Sequence, residues 1–285
     1  MFRRFAFVVT CLGASALAQA QATLTMAEQP VRLIRGAAVF KGIDGTAVQK
    51  DDILETGAGG VHVEAGKNAI VALGPQTRVY VMSLAGDGKS ALELAVLQGW
   101  IKLASATPKR ALVVTPAMEV TLPSGATIVQ RTSGKDALFA EDGAQQVIRI
   151  DEKGKPGTPV KLASEQFAAI DPSKPQPVVG RPSREFIAEM PRAFRDRLEL
   201  APPVPKAGKV APVKERDADF ADVGDWLAAS LPVRKNFVGR FKVRLADPAF
   251  RKQLDQALGQ SSEWKAVLHP AVPHTPAAPS GSTIY

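Results

Sequence analysis

The chain has 285 residues, 45% of them hydrophobic and 22% charged, with a formal net charge of +8. That length and apolar content suffice for a buried core, and a single cysteine, Cys11, excludes a disulfide framework. The basic balance favours anionic neighbours.

Arg3 and Arg4 precede an uncharged apolar run from Phe5 to Leu17, and Ala18-Gln19-Ala20 places small residues where a signal peptidase reads. The pattern predicts a signal peptide over residues 1–20, cleaved between Ala20 and Gln21, and a mature protein in the periplasm or outside the cell. The run is shorter than the roughly 20 apolar residues of a membrane span. No later stretch is long enough either, so no transmembrane span is expected in the mature chain. Cys11 follows Val8-Val9-Thr10 rather than the small residue that lipid attachment requires, and reads as a hydrophobe of the discarded segment. The mature chain then has no thiolate nucleophile and no cysteine-ligated metal, and its net charge without Arg3 and Arg4 is +6. An envelope protein or an anionic glycan such as lipopolysaccharide or peptidoglycan is the expected partner, and export argues against nucleic acid.

Residues 31–170 read as one β-rich block. Short apolar runs of period two recur, as in Val31-Arg32-Leu33-Ile34, Ala69-Ile70-Val71-Ala72-Leu73, Val79-Tyr80-Val81, Trp100-Ile101-Lys102-Leu103 and Val147-Ile148-Arg149-Ile150. Turn signals separate them: Asp44-Gly45, Pro123-Ser124-Gly125, Asp142-Gly143 and Lys153-Gly154. The fold class expected is mainly β followed by α: a stack of short strands, solenoid or sandwich, with a small C-terminal helical module.

Residues 171–182 carry Pro172, Pro175, Pro177 and Pro182 and read as a linker. A helical segment over 183–200 follows, with Ser183 as N-cap and Phe186, Ile187, Met190 and Phe194 as its stripe. A second linker, 201–218, is rich in proline and lysine and is expected to be extended and exposed. Residues 219–268 read as the helical module. Asp219 caps a helix carrying Val223, Trp226 and Leu227. Phe237, Phe241 and Leu245 form a second stripe. Asp247-Pro248 opens a helix carrying Phe250, Leu254 and Leu258, and Ser261 caps a last turn holding Trp264 and Leu268. The stripes of Phe237 and Phe250 are expected to face each other in an antiparallel hairpin. The Pro-, Ala- and Ser-rich tail, residues 271–285, is expected to be disordered.

The β block resembles the FecR-type domain of exported bacterial proteins. The resemblance rests on Gly36-Ala37-Ala38-Val39, Asp52-Ile53-Leu54-Glu55-Thr56-Gly57, the stretch from Ala69 through Gly74-Pro75-Gln76-Thr77 to Val79, Leu97-Gln98-Gly99-Trp100-Ile101, Val113-Val114-Thr115-Pro116, and Val160 to Gln166. It covers about half the chain. Two departures, Gly66-Lys67-Asn68 in place of Asp-Gly and Gly125-Ala126 in place of Gly-Thr, keep a turn and a strand start. The resemblance implies a periplasmic or secreted domain of a kind associated with binding and signalling. The cytoplasmic segment and membrane span of the family's signal transducers have no counterpart here, so their transmembrane role is not carried over.

Catalytic signals are sparse. Of the three histidines, His62 lies within a strand, and His269 and His274 bracket Pro270 and Pro273 without metal-site spacing. No Gly-x-Ser-x-Gly elbow surrounds Ser124. No metal, cofactor or catalytic residue is therefore expected. The function that follows is non-catalytic binding or scaffolding in the cell envelope, with sensing or polysaccharide-linked assembly as its setting. The alternative is a glycan-modifying enzyme built on a β-solenoid, which needs two carboxylates facing one cleft. Candidate contact residues are the aromatics Tyr80 and Trp100, as a sugar-binding surface if exposed together, and Arg234, Lys235, Arg244, Arg251 and Lys252, as a basic face for a polyanion.

Overall fold

The computed structural model describes residues 22–66, 69–84, 92–105, 110–132, 134–199 and 207–270. The expected signal peptide and its cleavage site at Ala20, the tail with His274, and part of the second linker lie outside the described residues. No helix among the described residues is long and apolar enough to cross a membrane.

The strands in chain order are β1 (Ala22–Ala27), β2 (Val31–Arg35), β3 (Ala38–Gly42), β4 (Ala47–Val48), β5 (Ile53–Glu55), β6 (Val61–Ala65), β7 (Ala69–Leu73), β8 (Arg78–Ser83) and β9 (Glu93–Ser105). They continue with β10 (Ala111–Val114), β11 (Met118–Leu122), β12 (Gly125–Thr132), β13 (Lys135–Asp142), β14 (Gln145–Arg149), β15 (Val160–Leu162), β16 (Gln166–Ile170), β17 (Val178–Gly180) and β18 (Val213–Asp217). The first sheet runs β4-β1-β6-β7-β9-β12-β13-β16-β17. The second runs β18-β3-β2-β5-β8-β9-β10-β11-β14-β15, antiparallel except at β9–β10.

Strand β9 belongs to both sheets. Its first half pairs with β8 and its second half with β7 and β12. The change of sheet falls at Gly99, whose φ is +100° and where a Cβ would lie 2.3 Å from Thr77 Oγ1. A strand that turns a sandwich corner needs such a residue. The β block is therefore a sandwich, not a solenoid.

Period-two alternation sorts each strand's side chains into two layers. Leu33, Leu54, Val79, Leu94, Ile101, Leu103, Val129 and Leu138 meet between the sheets. Their neighbours Ile34, Ile53, Tyr80, Ala95 and Val114 point outward from the second sheet, and Ala72, Trp100, Ile128, Ala137 and Phe167 outward from the first. Both outer faces are roofed by C-terminal elements.

The roof of the first sheet is α1 (Arg184–Glu189) with a 3-10 turn at Arg192–Phe194. Phe186 packs on Trp100 and Phe167, with ring centroids 5.0 and 4.9 Å away. Fully buried Lys102 ties this strap down: its Nζ donates to Glu141 Oε1 at 2.7 Å and to the carbonyls of Phe194 and Asp196 at 3.0 and 2.7 Å. The roof of the second sheet comprises α2 (Phe220–Ala228), α3 (Arg234–Phe241), α4 (Pro248–Leu258) and α5 (Ser262–Leu268). The N-caps read from sequence are present: Ser183, Asp219, Asp247 and Ser261 each accept a backbone N–H of the first turn.

Four expectations are corrected. Residues Val213–Asp217, read as linker, form β18 on the edge of the second sheet, and Val210 bridges to Thr46. Within the first linker, Val178–Gly180 forms β17 on the edge of the other sheet. The prolines flank these strands instead of interrupting them, as an edge strand permits. The helices share one apolar cluster with Ile34, Ile53 and Tyr80, so they are not an independent module. In that cluster α4 packs on α2 and α5, and α3 on α2, so the two stripes do not form an isolated hairpin.

Candidate functional site

The aromatic pair expected on one surface is split between two interiors. Tyr80, on β8, is 1% exposed; its ring lies 5.2 Å from Phe237, and its hydroxyl donates to Asp51 Oδ1 at 2.5 Å. Burial, joined by the Asp51 carboxylate, pushes its phenol well above the ordinary range. Trp100 is 7% exposed and lies under α1 on the other sheet. The corner at Gly99 sends Trp100 to the first sheet's outer face while Tyr80 stays on the second. Neither residue offers a sugar-binding platform.

Most of the expected basic face is used internally. Arg234 forks onto Glu263, Arg244 donates to the Ala218 carbonyl at 2.7 Å and to Asp247 at 2.8 Å, and Arg251 donates to the Leu268 carbonyl at 2.9 Å. Of these five residues Lys235, Arg251 and Lys252 are exposed, while Arg234 and Arg244 are partly buried against their partners. Arg240 joins helix to sheet: its guanidinium donates to the carbonyls of Gly36, Asp51 and Ile34 at 2.5–2.7 Å. Asp222, the capping-box residue of α2, also receives Arg32 and Arg216. Glu55 receives Arg78 at 2.9 Å and Arg32 at 3.3 Å. These charges hold the helices on the sheet. His62 is half-buried, and burial pushes its imidazole below the ordinary value. His269 lies 2.9 Å from Asp255. Among the described residues no group of three or more potential ligands is arranged to hold a metal.

A cleft of about 330 Å³ lies between β12, β13 and β16 and the strap carrying α1. Ala137, Phe167, Ala169, Ile170 and Phe186 supply apolar lining, and Gln130, Lys135, Asp136, Ser183, Glu185 and Glu189 supply polar groups. The polar groups are held in place from behind. Gln130, buried on β12, donates from Nε2 to Glu189 Oε2 at 2.8 Å. Ser183 Oγ accepts the Phe186 N–H at 3.1 Å and so fixes the start of α1. The Glu185 carboxyl is held below the usual range by its own backbone N–H, then by the Ser183 hydroxyl, with Lys135 adding its charge. Burial pushes the Asp136 carboxyl up, against the attraction of Arg131, which bonds its Oδ2.

This arrangement suits recognition. A glycosidase-type acid needs a carboxyl kept protonated and aimed at a leaving group. Glu185 is shifted the opposite way, and Asp136, shifted upward by burial, is bonded to Arg131. Phe186 is legible in the sequence as part of a helical stripe. Gln130, Phe167, Glu185 and Glu189 are not legible there as site residues, because nothing local joins a strand at residue 130 to a helix at 189.

No family model matches the sequence, and no curated protein matches it. Two crystal structures of a protein provisionally assigned as an anti-sigma factor, from Parabacteroides distasonis ATCC 8503, are similar in part. Their sequence identities are 11% and 13% and their TM-scores 0.39 and 0.38. Each match spans 48% of this chain and 62% of the other.

Proposed function

We propose that this chain is an exported cell-envelope protein that binds or scaffolds without catalysis, serving in sensing or in envelope and polysaccharide assembly. The observation that carries this reading is the cleft under α1, where an apolar floor and hydrogen-bonding groups are held in fixed positions by buried neighbours. Pre-positioned polar groups around an apolar hollow are the usual form of a binding site. The FecR-type resemblance of the β block supports the same reading, and the N-terminal Arg3-Arg4, apolar run and Ala18-Gln19-Ala20 support export.

The test is capture from envelope extract by the full-length-expressed, processed protein, with lipopolysaccharide and peptidoglycan presented separately. A retained envelope component that is lost on Phe186→Ala or Glu189→Gln is expected. Retention of nothing from the envelope, or an N-terminus at Met1 on the soluble product instead of Gln21, counts against the reading.

A further inference from the structure

We propose that the cleft beneath α1 binds a primary ammonium group carried on a short apolar stem, such as one end of a diaminoalkane or of a diamino-acid side chain. This deepens the reading of the chain as a binding protein and rests on it. In a chain of net charge +8 the cleft is a local exception. Its lining holds Lys135 against Glu185, Glu189 and Asp136, and Asp136 is neutralised by Arg131. With that pair set aside, Glu185 and Glu189 leave the lining one net negative charge over Lys135.

Glu185 and Glu189 are four residues apart on a helix, and both line the cleft, so they share one face. Gln130 secures one oxygen of Glu189 at 2.8 Å, which orients the carboxylate and leaves Oε1 to accept from a ligand. Phe167 and Phe186 line the same hollow, their rings edge to face at 4.9 Å. Carboxylates beside aromatic carbon suit an organic ammonium: the charge meets an anion, and ring faces attract cations. An anionic ligand meets repulsion there. A neutral polyol leaves the carboxylates without a counter-charge. The volume of about 330 Å³ admits a short stem and excludes a large ring system.

Calorimetric titration of the full chain at low salt tests this, using 1,5-diaminopentane, with 1,5-pentanediol and glutarate as neutral and anionic probes of similar length. Saturable binding of the diamine alone is expected, weakened roughly tenfold by Glu189→Gln through loss of one charge-assisted hydrogen bond. Glu185→Gln weakens it as well, Lys135→Met strengthens it, and Glu152→Gln, at a residue that does not line the cleft, leaves it unchanged. Both glutamates are exposed, so the variants fold. Equal heats from diamine and diol, or a diamine isotherm that ignores both glutamine variants, overturns the proposal. Envelope capture that persists without diamine binding also overturns the ammonium assignment, yet leaves the binding role standing. Diamine binding without any envelope capture supports the assignment and removes that role.

Discussion

The Thr77 hydroxyl and the Trp100 backbone meet at two points: the Trp100 N–H donates to Thr77 Oγ1 at 3.0 Å, and that oxygen lies 3.2 Å from the Trp100 carbonyl. Gly99, the corner residue of β9, packs against the same threonine, since a Cβ there would lie 2.3 Å from Thr77 Oγ1. The corner is held further by Thr56, whose hydroxyl donates to the Gly74 carbonyl at 2.7 Å and accepts the Thr77 N–H at 2.8 Å.

Gly99→Ala is expected to cost at least about 2–3 kcal/mol, because the left-handed backbone is strained for alanine and the new methyl meets Thr77. Gly36→Ala is the control. Its φ is +57°, nothing lies within 4 Å of the added Cβ, and strain alone costs roughly 1–2 kcal/mol. Urea unfolding of both variants measures the difference. Equal costs would show that the corner yields.

Phe241 is fully buried in the cluster that joins the helices to the second sheet. Truncation to alanine is expected to cost ~3–5 kcal/mol. Because Ile34, Ile53 and Tyr80 share that cluster, strand and helix signals should be lost together in one thermal transition. Helices that melt first, leaving an intact sandwich, would contradict the shared core.

Trypsin should cut after Lys209 before it cuts after Lys214 or Arg216. Lys209 sits in a turn, whereas β18 is hydrogen-bonded along β3, and cleavage there requires the strand to detach. Mass spectrometry of early digests decides the order. Simultaneous cleavage at all three sites would mean that β18 does not hold its pairing in solution.

The Glu263 carboxyl is held below its ordinary value of 4.5, chiefly by the Arg234 guanidinium. A depressed carboxyl contributes stability above its unfolded value, and that contribution fades as pH falls through the lower folded value. Wild type should therefore exceed Glu263→Gln in melting temperature by a constant margin at neutral pH. The margin should shrink below about pH 4.5. A margin that grows on acidification would assign the pair no stabilising role.

Local chemistry was legible in the sequence. A cap bonds its own first turn, so Ser183, Asp219, Asp247 and Ser261 could be read as helix starts from a few neighbouring residues. Alternation along a strand is equally local, and it correctly placed Val79 and Val81 on the face opposite Tyr80. Alternation reports which side chains share a face. It carries no information about what covers that face. Burial of Tyr80 and Trp100, pairing of the charged segment Val213–Asp217 with β3, and the Gln130–Glu189 bond that shapes the cleft each join residues far apart in the chain. Only the tertiary structure decides these, because backbone edges and apolar faces are satisfied by whichever distant segment the closed sandwich brings to them.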